Sequence, residues 1–300
     1  MSGHHHHHGH DHGHAHSGGD WRYGVGIGLN LAFVAAETIA GFLANSTALL
    51  ADAGHNLSDV LGLVLAGGAA WLAKRSGGPR RTYGFRKATV LAALLNALAL
   101  VFACGAIAFE AIQRFADPQP VATGLVIAVA AVGIAINGGT ALLFRGGHDL
   151  NERGAYLHMA GDALVSAGVI AAALAMRATG WTWLDPAASL AIVVVIVWSG
   201  WGLLRESLDL ALDAAPKGMD VGAVRAFLEQ QPGVVAVHDL HIWAMSASDT
   251  ALTAHIVRPG SDDVVLRGLS RALETEFGIG HATLQIEAAR HDDCAAHDCG

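Results

Sequence analysis

Six apolar stretches, residues 23–44, 49–73, 88–115, 121–144, 155–178 and 185–204, dominate this chain. Each reaches the roughly 20 residues that a helix needs to cross the hydrocarbon core of a bilayer. Lipid offers no water to satisfy a peptide backbone, so such stretches fold as helices whose hydrogen bonds are internal. The predicted fold is an α-helical membrane protein with six transmembrane helices. The charge content agrees: 15% of the residues are Asp, Glu, Lys or Arg and 53% are hydrophobic, against about 25% charged in ordinary soluble domains. Only Asn45, Ser46 and Thr47 are offered for the turn between the first two stretches, which predicts a tight hairpin.

Basic residues in short loops orient such a bundle, because they stay on the cytoplasmic side. Lys74, Arg75, Arg80, Arg81, Arg86 and Lys87 lie between spans two and three. Arg145 and Arg153 lie between spans four and five, and Arg205 and Lys217 follow span six. The opposite loops offer only Arg114 and Arg177, near span ends. Both termini are therefore expected in the cytoplasm. The net charge of -8 says little here, since acidic residues contribute weakly to topology. Nothing suggests nucleic acid as a partner. A polar, histidine-rich beginning without a charged segment and short apolar core predicts no cleavable signal peptide.

Within the apolar stretches the pentad His-x-x-x-Asp occurs twice, as His55 and Asp59 and as His158 and Asp162. Residues four apart share a helix face, so each pentad aims one imidazole and one carboxylate the same way. Two such helices face to face present two nitrogens and two oxygens, a set that suits a tetrahedral divalent metal, zinc first. Ionisable groups at membrane depth cost about 2.5 to 3.5 kcal/mol each on insertion scales, and a metal ion is the partner that offsets this. A single such residue could equally be helix-packing glue; two independent packing solutions have no reason to share both residue types and spacing. An intramembrane metalloenzyme competes with this reading, with Glu37 in span one as its candidate base. It needs three ligands and an open water position, whereas the pentads supply four, and no His-Glu-x-x-His occurs. A membrane-anchored metal sensor is the other alternative.

The remaining chain divides by composition. Residues 1–20 hold a histidine-dense, glycine-spaced tract over positions 4–16, expected to be a disordered arm that collects metal at the cytoplasmic mouth. The bundle is assigned to 21–213, a soluble α+β unit to 214–290 and a Cys/His tail to 291–300. In the soluble unit residues 221–230 and 264–277 read as helices and 234–244, 251–257 and 282–288 as strands. This αββαβ order on a small antiparallel sheet resembles a ferredoxin-like metallochaperone architecture. Cys104 reads as a packing residue in span three. Cys294 and Cys299, in a reducing cytoplasm, are not expected to pair. Lys87, at the start of span three, is placed to meet Asp209 or Asp213.

The runs at 49–59 and 149–164, with the segment Val237-His238-Asp239-Leu240-His241-Ile242-Trp243, resemble the cation diffusion facilitator family of zinc transporters, of the bacterial zinc and cadmium efflux type. The resemblance extends from about Trp21 to Glu287. It implies a homodimer in a bacterial inner membrane that exports Zn2+, with Cd2+ and Co2+ as further candidates, in exchange for protons. It implies transport ligands at His55, Asp59, His158 and Asp162. It places a charge interlock at the dimer contact on Lys87 and Asp209. It also implies zinc at His238, His255 and Glu287 of the cytoplasmic domain. Gln285 stands where some members have another histidine, and His241 and His281 are the candidates to replace it. His291, Cys294, His297 and Cys299 in the tail read either as a metal-trapping segment or as disordered polar sequence. The loop between spans two and three lacks His, Asp, Glu and Cys over residues 76–85, so the additional loop site of some members is not expected.

Overall fold

A computed structural model describes residues 20–144, 150–246, 248–260 and 263–288. The histidine tract, Arg145 and the tail cluster lie outside the described residues. The chain forms α1 (Asp20–Ala44), α2 (Thr47–Ala73), α3 (Ala88–Ala116), α4 (Thr123–Phe144), α5 (Leu150–Thr179) and α6 (Leu184–Ala211). Among the described residues α2 to α6 each contain a span long and apolar enough to cross a membrane, and the apolar part of α1 runs over Asn30–Ala44. The six helices form one bundle. Its interior is built largely of small residues, with Ala51, Ala130 and Ala173 fully buried beside Leu49, Val126 and Val169. Small side chains let helix backbones approach closely where lipid supplies no hydrophobic drive between them. Phe42, Phe102 and Trp198 point outward, as a bilayer-facing surface allows. α5 packs along α4, and α3 along α6 and α2, whereas α2 and α5 meet over a short stretch only.

The hairpin between α1 and α2 is tighter than its three-residue allowance, because Thr47 already belongs to α2. Asn45 takes a left-handed conformation, φ 54, and Ser46 caps α2 by accepting from the Leu49 amide. Gly41 permits the close return: a Cβ there would lie 2.7 Å from the Leu50 side chain. The same end of the bundle is tied across the chain. The Ala122 amide donates to the Ala44 carbonyl at 2.9 Å, and Arg114 Nη1 donates to the Asn45 carbonyl at 2.6 Å. Asp185, at the start of α6 and 1% exposed, accepts from the Ser46 hydroxyl and, at 2.7 Å each, from the amide and hydroxyl of Thr47. Its carboxylate thereby satisfies the N-terminus of another helix, where orphan amides and the helix dipole favour negative charge. Replacing Asp185 by Ala strands these buried donors and is expected to cost on the order of 3 kcal/mol. A fall of several degrees in the thermal midpoint of the detergent-solubilised chain checks this.

The C-terminal unit comprises α7 (Val221–Glu229), β1 (Ala236–Ala244), β2 (Thr250–Val257), α8 (Asp263–Phe277) and β3 (His281–Glu287). The elements follow the expected order, with ends shifted by a residue or two. The sheet, ordered β1-β2-β3, corrects the antiparallel expectation: β1 pairs antiparallel with β2, but β3 runs parallel to β2. The reason is the connection, since β2 reaches β3 through α8, and a helical crossover returns a strand in the same direction. Val224, Leu228, Leu252, Ile256 and Leu273 are fully buried between helices and sheet. The loop after α2 touches this unit through Tyr83, whose ring lies 5.6 Å from that of His281, and through Arg86, 3.5 Å from Asp249. The end of the bundle reached by α2 and α6 is thus the end that carries the α+β unit.

Candidate metal centre

His55 and Asp59 lie one turn apart on α2, as do His158 and Asp162 on α5, and the two pairs meet where these helices cross. The His55 Nε2 atom is 3.2 Å from Asp162 Oδ1 and 3.8 Å from Asp59 Oδ2. The His158 Nε2 atom is 3.3 Å from Asp59 Oδ2 and 3.7 Å from Asp162 Oδ2. The four donor atoms all lie within 4.8 Å of one another. Donors about 2.0 to 2.1 Å from a tetrahedral zinc ion stand about 3.3 Å apart, so the cluster contracts onto such an ion with small side-chain movements. Each helix contributes one nitrogen and one oxygen, and the closest contacts cross between helices.

The two layers of this cluster differ in access. The His55 and Asp162 side chains are 14% and 5% exposed, those of Asp59 and His158 35% and 44%. Asp59 follows His55 along α2 and His158 precedes Asp162 along α5, so the open layer is the one nearer the α+β unit. A cavity of about 400 Å³ beside the cluster reaches Gly200 and Leu203 on the α+β side of α6. The site is therefore open toward the end of the bundle that carries the α+β unit and shut toward the hairpin end.

Further polar groups continue inward from this layer, and of these the sequence reading had singled out Glu37 alone. Asp52, fully buried and one turn before His55, accepts from the Ser166 hydroxyl at 2.7 Å. Glu37 is also fully buried and accepts from Asn56 Nδ2 at 3.0 Å. That bond joins α1 to α2 as a contact between helices, and Glu37 lies outside the four-donor cluster. Asn30, Asn96 and Asn137 were likewise missed. Their only signal in sequence is an amide inside an apolar stretch.

At the start of α3, Lys87 Nζ meets Asp213 Oδ1 at 2.5 Å, and not Asp209. Asp213 lies just past the end of α6 with a left-handed backbone, φ 63. Leaving the helix there carries its carboxylate to Lys87, whereas Asp209 remains within α6.

A second cluster lies on the small sheet. His238 on β1 faces His255 on β2, and Glu287 at the end of β3 reaches both: its Oε2 is 3.0 Å from His238 Nε2 and its Oε1 is 2.9 Å from His255 Nδ1. Their donor atoms also lie within 4.8 Å of one another. Gln285, two residues before Glu287, donates to that carboxylate at 3.1 Å. A bulge between His238 and His241, with Asp239 at φ 51, turns the Asp239 carboxylate to within 2.9 Å of His241 and 3.7 Å of His255. His241 thus stands at the margin of the cluster, and His281 is apart from it, against Tyr83. The hydrogen bond with His241 holds the Asp239 carboxyl below its ordinary value, with the charges of His241, His255 and His238 adding to it against some desolvation. Burial alone would raise Glu287, but its hydrogen bond with His238, the charges of His238 and His255 and the Gln285 donor together place it below its ordinary value.

A depressed carboxylate contributes stability that is complete above its unfolded value and is lost as pH falls through its folded value. The strands are therefore expected to keep full protection against hydrogen exchange above the ordinary carboxylate range and to lose it progressively as pH falls through and below that range. The Glu287→Gln variant is expected to lose this step when exchange over β1 to β3 is followed with pH in the full chain.

A helical bundle with five spans long and apolar enough to cross a membrane, a four-donor His/Asp cluster that could hold a metal ion, and an α+β unit with a second such cluster together define a polytopic membrane protein with metal-competent sites. The chain belongs to the cation efflux family: residues 25–210 match its transmembrane domain and residues 216–289 its cytoplasmic domain. This is a family of metal transporters and not of enzymes. The chain is 37% identical to the zinc transporter ZitB of Escherichia coli (strain K12) over 273 residues, covering 89% of this chain and 86% of that protein. It is 36% identical over 269 residues to a cadmium, cobalt and zinc/H(+)-K(+) antiporter of Bacillus subtilis (strain 168), covering 87% and 86%. Among solved structures, the metal-bound C-terminal domain of the CzcD transporter from Cupriavidus metallidurans matches 23% of this chain and 97% of its own length. Its sequence identity is 37% and its TM-score 0.21.

Proposed function

We propose that this protein exports Zn2+ from the cytoplasm in exchange for protons, as a homodimer in a bacterial inner membrane, with Cd2+ and Co2+ as further cargo. The observation that carries the reading is the cluster of His55, Asp59, His158 and Asp162, two nitrogens and two oxygens within 4.8 Å of one another between two membrane helices. Its open side faces the α+β unit. With that unit and both termini in the cytoplasm, as the basic loops suggest, the conformation described is the one that loads ions from the cytoplasm. The names of the relatives support both the cargo and the exchange. His238, His255 and Glu287 supply three donors, and with a water they would hold a regulatory zinc. The family's cytoplasmic dimer domain supports pairing of two chains there. Lys87 and Asp213 would brace the contact between protomers where their helices leave the membrane.

Flux of Zn2+, Cd2+, Co2+ and Mn2+ into proteoliposomes of the purified chain tests this reading. Saturable uptake of zinc is the expected result, and its absence defeats the proposal. Selectivity is expected to follow the donor set. His55→Asp exchanges an imidazole nitrogen for oxygen and adds a charge, which favours harder cations. The ratio of manganese to zinc flux is expected to rise by about tenfold. An unchanged ratio would place selectivity elsewhere.

A further inference from the structure

Beside the four-donor cluster lies a second cavity, of about 340 Å³, that runs past Asp59, His158 and Asp162. Its wall carries Asn30 of α1, Asn56 of α2, Asn96 of α3 and Asn137 of α4. Four different helices each supply one asparagine to the lining of the same space. Asn96 also borders the cavity that contains His55, so the amides stand next to the cluster and not at a remote crossing of helices. Amides in membrane helices commonly serve as glue, by bonding across helices. Asn137 fits that role incompletely: it is 5% exposed, and its Nδ2 has no hydrogen-bond partner among the described residues. Asn56 spends its amide nitrogen on Glu37, which leaves its carbonyl oxygen to accept. Asn96 is seated in a notch made by Gly62, where a Cβ would lie 3.0 Å from its Nδ2.

We infer that Asn30, Asn56, Asn96 and Asn137 form a vestibule for a partly hydrated divalent ion, whose waters they replace with carboxamide oxygens before the ion reaches His55, Asp59, His158 and Asp162. The inference rests on the transport reading and adds a binding place to it. A divalent ion arrives with a full shell of water and must shed it to take four protein donors. Carboxamide oxygen is a hard donor like water and enters the same coordination positions. Because the amides are neutral, they hold the ion weakly, and a conducting path needs sites favourable enough to enter yet weak enough to leave. The charge that draws the ion onward belongs to Asp59 and Asp162 at the inner wall.

The test uses the full chain in nanodiscs, with zinc binding followed by stopped flow against a competing fluorescent chelator. Asn96→Leu and Asn137→Leu, close in size to the native residues, are expected to slow zinc association by about tenfold, with equilibrium affinity changed less than about threefold, because release slows in parallel. Asn96→Asp and Asn137→Asp keep shape and oxygen but add charge, so they decide the matter even where a leucine disturbs packing. They are expected to keep or raise the association rate and to slow release by about tenfold. Unchanged association rates in the leucine variants, or aspartate variants that release zinc as fast as the native chain, overturn the vestibule. A native chain that binds zinc in a manner abolished by Asp162→Ala keeps the transport reading in either event. A native chain that binds no zinc overturns both.

Discussion

Purified chain carrying Asp162→Ala is expected to insert and fold normally yet show no saturable zinc flux in proteoliposomes. Asp162 is the most buried of the four donors, at 5% exposure, and lies 3.2 Å from His55. Its removal leaves three donors at membrane depth, and the cost of dehydrating a divalent ion is no longer offset by a closed tetrahedral shell. Folding is expected to survive, because the deletion removes the desolvation cost of a buried carboxylate together with its contact to His55. Asp59→Ala, His55→Ala and His158→Ala are expected to behave alike. The half-exposed members, Asp59 and His158, differ in one respect: water can reach the vacated position, so some residual binding without transport is expected there. Near-native flux through a correctly inserted Asp162→Ala protein would remove the central assignment.

Zinc entering the site is also expected to drive protons out, and zinc leaving it to draw them in. Two carboxylates and two neutral imidazoles around a dication sum to zero charge. Emptied, the same cluster retains two negative charges in a low-dielectric setting that already contains Glu37 and Asp52, both fully buried. Such a state favours proton uptake, and histidine, whose ordinary value is about 6.5, is the natural acceptor. Zinc and protons then compete for the same lone pairs, so apparent zinc affinity is expected to rise with pH until the donors are fully deprotonated. In vesicles loaded with a pH dye, zinc addition is expected to give a proton counterflow that vanishes in His55→Ala and Asp162→Ala. Zinc movement indifferent to collapse of the pH gradient would refute the exchange while leaving the metal site standing.

What the sequence made legible was whatever repeats at short range. The pentads put donors on one helix face by spacing alone, and the apolar lengths gave α2 to α6. The α+β order followed from alternation and turn residues. The direction of β3 was misjudged although its signal was present: 23 residues separate Val257 from His281, a length suited to a helical crossover and not to a hairpin. Other features have no local signature. Asp185 caps a helix that begins 138 residues earlier, and Asp213 reaches Lys87 because the backbone turns left-handed after α6. The four asparagines are far apart in sequence, and only the packing of α1 to α4 brings them to one wall. Glu37 was visible as a lone acid in its span, but its link to Asn56 depends on how α1 folds back on α2.

Because α2 and α5 touch over so short a stretch, an ion bound at the proposed site would be the principal cross-brace between them. An ion held by one carboxylate and one imidazole from each helix cross-links the two as a removable rivet would. Loading would then stiffen the crossing, and unloading loosen it, without any need for a separate sensor of occupancy in the bundle. The hairpin end, tied by Asp185 and Arg114, would act as the fixed pivot of this linkage, so any swing as the rivet comes and goes would be greatest at the opposite end, where Arg86 and Tyr83 touch the α+β unit. Motion of that unit would then report on whether an ion is aboard.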